Sequence, residues 1–153
     1  MPSTKRPVAF WLFAAFLTFT IVFVLTGQTM SLADYDFTVR HGLQESPALV
    51  SMFGVQVNRG FAAGDTIVYL PLVAVSLAGL CMRKRWSLIT TAGVAAISAY
   101  WSVTVIFMFL FLPGTPGYAY VPGAEILGVV GLYTAAGVCG LVYLALHGDA
   151  LLR

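Results

Sequence analysis

Four apolar stretches dominate this sequence, each close to the roughly 20 residues that cross the ~30 Å hydrocarbon core of a bilayer. They occupy residues 8–27, 61–82, 87–112 and 121–146. A segment in lipid must satisfy its backbone polar groups internally, so stretches of this kind read as helices. The expected fold is a single all-α domain over residues 1–153, a four-helix transmembrane bundle. Composition supports this: 59% of residues are hydrophobic and 9% charged, against about 25% charged in soluble domains. Lipid is the solvent in which so much apolar surface is stable.

The charges between the stretches give an orientation. Lys and Arg collect in short cytoplasmic loops. With four crossings, Lys5, Arg6, Arg83, Lys84, Arg85 and Arg153 fall on one side. The other side holds Arg40 and Arg59 with Asp34, Asp36, Glu45, Asp65 and Glu125. Three or five crossings would break this partition. An N-in/C-in topology in a plasma (inner) membrane follows, with both termini cytoplasmic. Trp11 and Trp86 then lie at cytoplasmic helix ends, and Tyr118 and Tyr120 at an outer end, where amphipathic rings are favoured. Lys5 and Arg6 before an apolar run look like the start of a secretory signal, with Ser31 and Ala33 at cleavage spacing. The run is longer than the 7–15 residues of a signal core, so an uncleaved first helix is expected.

The first outer loop, residues 28–60, is too long for a simple connection and is expected to be structured. Its central piece, 47–57, is too apolar for a solvated linker and reads as a surface helix or a cap on the bundle. The second, 113–120, carries two Pro-Gly pairs and reads as consecutive turns. Pro71 removes a hydrogen bond inside the second stretch, so an irregularity is expected near Tyr69–Leu72.

Close helix packing in lipid needs small residues. The fourth stretch has Ala124, Gly128, Gly131, Ala135 and Cys139, with a second line through Ala136 and Gly140. The third has Ala92, Ala96 and Ala99. The first is rich in Phe and reads as peripheral, facing lipid, around a core of the other three. Packing roles are assigned to Ala92, Ala96, Ala99, Gly128, Gly131, Ala135 and Gly140, either within the bundle or toward a second copy or another membrane subunit. Cys81 and Cys139 read as small packing residues.

Candidate chemistry is sparse. Asp65 and Glu125 would lie at one depth near the outer surface, able to bind a cation or relay a proton. As cap or first-turn residues they also suit two helix starts. Asp34, Asp36, His41 and Glu45 cluster in the first loop without the spacing of a specific metal site, so no metal is assigned. Deep histidines for haem and cysteine pairs for disulfide exchange are absent, and no cofactor is assigned. The scattered basic residues form no stripe for nucleic acid.

The first functional reading is therefore a non-enzymatic accessory or interaction subunit, packing through the small-residue faces of the third and fourth stretches. The second is binding or transport of a lipid, quinone or small neutral solute in a pocket between the second, third and fourth. Asp65, Tyr69, Tyr100, Trp101, Glu125 and Tyr133 would line that pocket. An enzyme using Asp65 or Glu125 as acid or base is the third.

Overall fold

The computed structural model of the chain describes residues 6–152. Lys5 and Arg153, two members of the charge partition, lie outside the described residues. Regular structure among the described residues is entirely helical. Four helices are long and apolar enough to cross a membrane: Val8–Ala33, Pro47–Cys81, Trp86–Phe111 and Ala124–Leu152.

The first two spans are each interrupted by a π-helical turn. The first is α1 (Val8–Phe23), π1 (Val24–Thr29) and α2 (Met30–Ala33). A short α3 (Tyr35–Arg40) follows, capped by the Asp34 carboxylate, which accepts from the Phe37 N–H at 2.8 Å. The second span is α4 (Pro47–Gly64), π2 (Asp65–Tyr69) and α5 (Leu70–Cys81). The third is α6 (Trp86–Phe111), and the fourth is α7 (Ala124–His147) with a 3-10 turn at Gly148–Leu152.

The irregularity expected at Pro71 takes the form of π2. A proline ring clashes with the carbonyl four residues back, here Ile67, and offers no N–H to it. A π turn ending at Tyr69 loosens the backbone in that stretch. In π1 the Thr26 hydroxyl donates to the Val22 carbonyl at 2.8 Å, a back-bond that bends helices. The two π turns face each other, joined by Thr29 Oγ1 and Thr66 Oγ1 at 3.0 Å.

Residues 47–57 are helical and lead into the second span, with a break at Ser51 (φ 60°, ψ 170°). One expectation is corrected here: the first span is not peripheral. Its Phe10, Leu17 and Val24 belong to the buried core with Tyr69, Val73, Leu80, Val94 and Leu151. Phenylalanines in this helix turn inward onto aromatic partners: Phe13 meets Tyr143, and Phe16 meets Tyr133.

α6 lies between α5 and α7. Its contact with α7 depends on Gly137, where a Cβ would come within 2.6 Å of the Ala99 backbone nitrogen and 2.8 Å of the Ala95 carbonyl. Gly140, also buried, packs against Phe13 and Ala95. The α5–α6 turn is equally close. Arg83 is left-handed (φ 55°), and the Lys84 N–H donates to the Gly79 carbonyl at 2.9 Å, as at many helix C-termini. Arg6 completes this turn end of the bundle. Its guanidinium donates to the Leu80 and Cys81 carbonyls at 3.0 and 2.7 Å and lies 4.1 Å from the Phe10 ring centroid. A cation there also suits the negative end of α5.

Candidate functional site

At the opposite, loop end, the two π turns open a small chamber between the first three spans and α7. It has a volume of about 20 Å³ and is lined by Phe23, Val24, Gln28, Asp65, Tyr69, Ile97, Ser98, Trp101 and Tyr133. That is room for about one water. Four of the six candidate binding residues, Asp65, Tyr69, Trp101 and Tyr133, meet here. π turns inside α-helices are frequent at functional sites, and here π1 supplies Val24 and Gln28 while π2 supplies Asp65 and Tyr69.

The hydrogen-bond directions in the chamber follow from simple accounting. Ser98 Oγ donates its proton to the Val94 carbonyl at 2.8 Å. The 2.8 Å contact between Tyr69 Oη and Ser98 Oγ must then have Tyr69 as donor. Tyr133 Oη donates to Thr20 Oγ1 at 3.2 Å. Both phenols have spent their protons on the protein and turn only acceptor oxygens to other partners. Asp65 is not the N-cap anticipated. Gly64 before it is already helical and the helix runs through, so the carboxylate sits half-buried within a continuous span. Among the described residues, no hydrogen bond or ion pair reaches it.

The Tyr133 ring is the hub of this region. It meets Phe16, Phe19, Phe23 and Trp101 at centroid distances of 5.3, 6.2, 5.8 and 5.4 Å. Such a cluster of aromatic rings holds the chamber wall rigid.

Phe23, Gln28 and Trp101 also line a second cavity, of about 170 Å³, nearer the loops. This vestibule adds Glu45, Asn58, Tyr100, Phe109, Tyr118 and Tyr120. Glu45 Oε2 accepts from Asn58 Nδ2 at 2.9 Å, and the Tyr35 hydroxyl donates to the Glu45 carbonyl at 3.0 Å. Burial and then the nearby Glu45 charge push the Tyr118 and Tyr120 phenols above their ordinary value, Tyr118 and Glu125 adding to the effect on Tyr120. Tyr35 is raised for the same first reason, burial, with the Asn58 hydrogen bond opposing and Glu45 reinforcing. The 113–120 loop closes this cavity, its Ala119 N–H donating to the Leu49 carbonyl at 2.7 Å.

The remaining candidates are placed elsewhere. Tyr100 reaches the vestibule but is 74% exposed. Glu125 is exposed in the first turn of α7 and lines neither cavity, so the expected carboxylate pair is not assembled. Ala92, Ala99 and Gly140 are at least partly buried, as packing requires. Ala96, Gly128, Gly131 and Ala135 are exposed, and a Cβ at Gly128 or Gly131 would meet nothing within 4 Å. Cys81 and Cys139 are also on the surface. The loop cluster is dispersed: Asp34 caps α3, and His41 lies against Phe37 with ring centroids 4.1 Å apart. Gln28, Asn58 and Phe23 were not anticipated as site residues; their only sequence signal is position beside a helix end.

A third, larger cavity of about 260 Å³ opens between α1, α6 and α7 in the turn-side half. Its walls are Ala9, Leu12, Phe13, Cys139 and other largely apolar groups, with hydroxyl-bearing side chains at Thr91 and Tyr143. Thr91 Oγ1 is buried with no hydrogen-bond partner among the described residues.

The fold is thus all-helical, with four apolar helices as in a multi-pass membrane protein. Compared with known proteins, the chain matches no protein-family profile, no curated protein and no solved structure.

Proposed function

We propose that this chain is a small-molecule binding or transport protein of the plasma (inner) membrane, with both termini cytoplasmic and its vestibule opening outward. The observation that carries this reading is convergence. Asp65, Tyr69, Trp101 and Tyr133, chosen from three separate stretches, line one chamber that shares Phe23, Gln28 and Trp101 with the vestibule. An unpartnered carboxylate in a membrane span is a functional candidate by default, because its desolvation must be offset by something. The site differs from the anticipated pocket in including the first span.

The second reading, an interaction subunit, rests on α7. Ala124, Gly128, Gly131, Ala135 and Cys139 are all exposed on the single chain. A small-residue face of this kind suits another helix at close range.

Native mass spectrometry of the chain released from its own membrane tests both. The binding reading expects one small-molecule adduct per chain, lost in Trp101→Leu. A bare chain, dimeric in wild type and monomeric in Gly131→Leu, would replace it with the interaction reading.

A further inference from the structure

Resting on the pocket reading, we infer that the ligand is a protonated primary amine, its ammonium head in the inner chamber and its apolar body in the vestibule. Size comes first. The chamber holds about one water-sized group at about 20 Å³, whereas the vestibule has about 170 Å³. A ligand occupying both is narrow at one end and bulky at the other.

Polarity sets the head. Tyr69 and Tyr133 have committed their protons to Ser98 and Thr20, and Asp65 has no partner among the described residues. The chamber therefore presents acceptor oxygens from Asp65, Tyr69 and Tyr133, beside the Gln28 carboxamide and the Trp101 indole N–H. An ammonium group carries three donors and no acceptor, the complement of those three oxygens. A hydroxyl has one proton to give and leaves two oxygens unanswered. A trimethylammonium group has none, and is too large for a one-water chamber. Among the described residues, no Lys, Arg or His lines either cavity to supply the positive charge from within.

The vestibule sets the body. Phe23, Phe61, Trp101, Phe109, Tyr118 and Tyr120 surround it, favouring an aryl or alkyl group in contact with ring faces. Trp101 stands at the junction, where its ring also attracts a cation passing from one cavity to the other. Glu45 at the vestibule wall adds a negative field that draws cations inward.

Calorimetric titration of the full chain in lipid nanodiscs compares three probes: 2-phenylethylamine, 2-phenylethanol and trimethyl(2-phenylethyl)ammonium. The amine is expected to bind one per chain, about tenfold or more tighter than either analogue, as loss of charge-assisted hydrogen bonds requires. Asp65→Asn should weaken the amine by about tenfold and the alcohol by a smaller factor, since the alcohol carries no charge to pair with the carboxylate. The probe comparison is made on the unaltered chain, so it stands even if that variant misfolds. Equal binding of amine and alcohol overturns the ammonium assignment and leaves the pocket reading intact. Equal binding of the trimethyl analogue overturns the placement of the head. No heat with any probe overturns the inference, and the native mass spectrum then decides the pocket reading separately.

Discussion

Each half of this bundle holds a cavity, and the two are opposite in character. The turn-side cavity between α1, α6 and α7 is larger, about 260 Å³, and nearly all its walls are apolar. The loop-side pair is smaller but carries two carboxylates, three carboxamides and several phenols. In a bilayer an apolar cleft open to the side is filled by an acyl chain at little cost. A cleft lined with acceptors needs a donor. The contrast shows that polarity relative to the surrounding solvent, rather than volume, marks a site in a membrane protein. It also assigns the halves: the turn side, with Gly79, Gly137 and the Arg6 contacts, holds the helices in register, while the loop side spends regular helix geometry on placing side chains.

The contrast can be broken at four points. The largest effect is expected at Tyr133, whose ring meets four other aromatic residues at the loop-side chamber. Tyr133→Ala should lower the unfolding free energy by about 3–5 kcal/mol, measured by chemical unfolding in detergent. A loss no greater than that of the exposed Leu132→Ala would show the chamber wall to be loosely held. In the turn-side half, Thr91→Val removes a buried hydroxyl that has no partner among the described residues. It should stabilise by about 1–2 kcal/mol in the same assay; destabilisation would mean this half hides a polar contact and the contrast is wrong.

Asp65→Asn should act in the opposite sense on stability and on function. Relieving a half-buried, unpaired carboxylate is expected to raise stability by about 1 kcal/mol, while ligand binding falls. An unfolding midpoint lower than wild type would instead assign Asp65 a structural role. The smallest effect is expected at Ser51, held at φ 60° where glycine is favoured. Ser51→Gly should stabilise by about 1 kcal/mol, because the relieved strain exceeds the few tenths lost with a weak 3.5 Å contact to the Gly54 N–H. No gain would mean that contact with the 113–120 loop sustains the bend at no cost.

Much of the bundle is legible in the sequence because length and hydropathy control it. The spans, the α5–α6 turn and the irregularity at Pro71 all follow from residues within one or two turns of each other. What escaped depends on contacts between distant segments. Asp65 looks like a cap because Gly64 and the polar residues before it mimic a helix start; apolar residues from 47 onward instead extend the helix past it. Phenylalanines in α1 look lipid-facing because lipid and a membrane core are equally apolar, and only the position of Tyr133 and Tyr143 decides which side they take. The same ambiguity divides α7, where Gly137 and Gly140 face neighbours but Gly128 and Gly131 do not. Glu45 enters the site only after its loop folds over it, and Gln28 and Asn58 only because their helices run beyond the apolar stretches, so no local pattern announces them.

The Arg6 contacts have a consequence for how this chain is made. Arg6 leaves the ribosome well before the Leu80 carbonyl that it grips, which is 74 residues further on. At synthesis rates of about 5–20 residues per second, that interval is about 4–15 seconds. Through those seconds the first span has no clamp, and the Phe10 ring is the one partner of its guanidinium described above that is already made. The bundle therefore cannot lock one span at a time: Arg6 becomes fixed only when the second span has been completed.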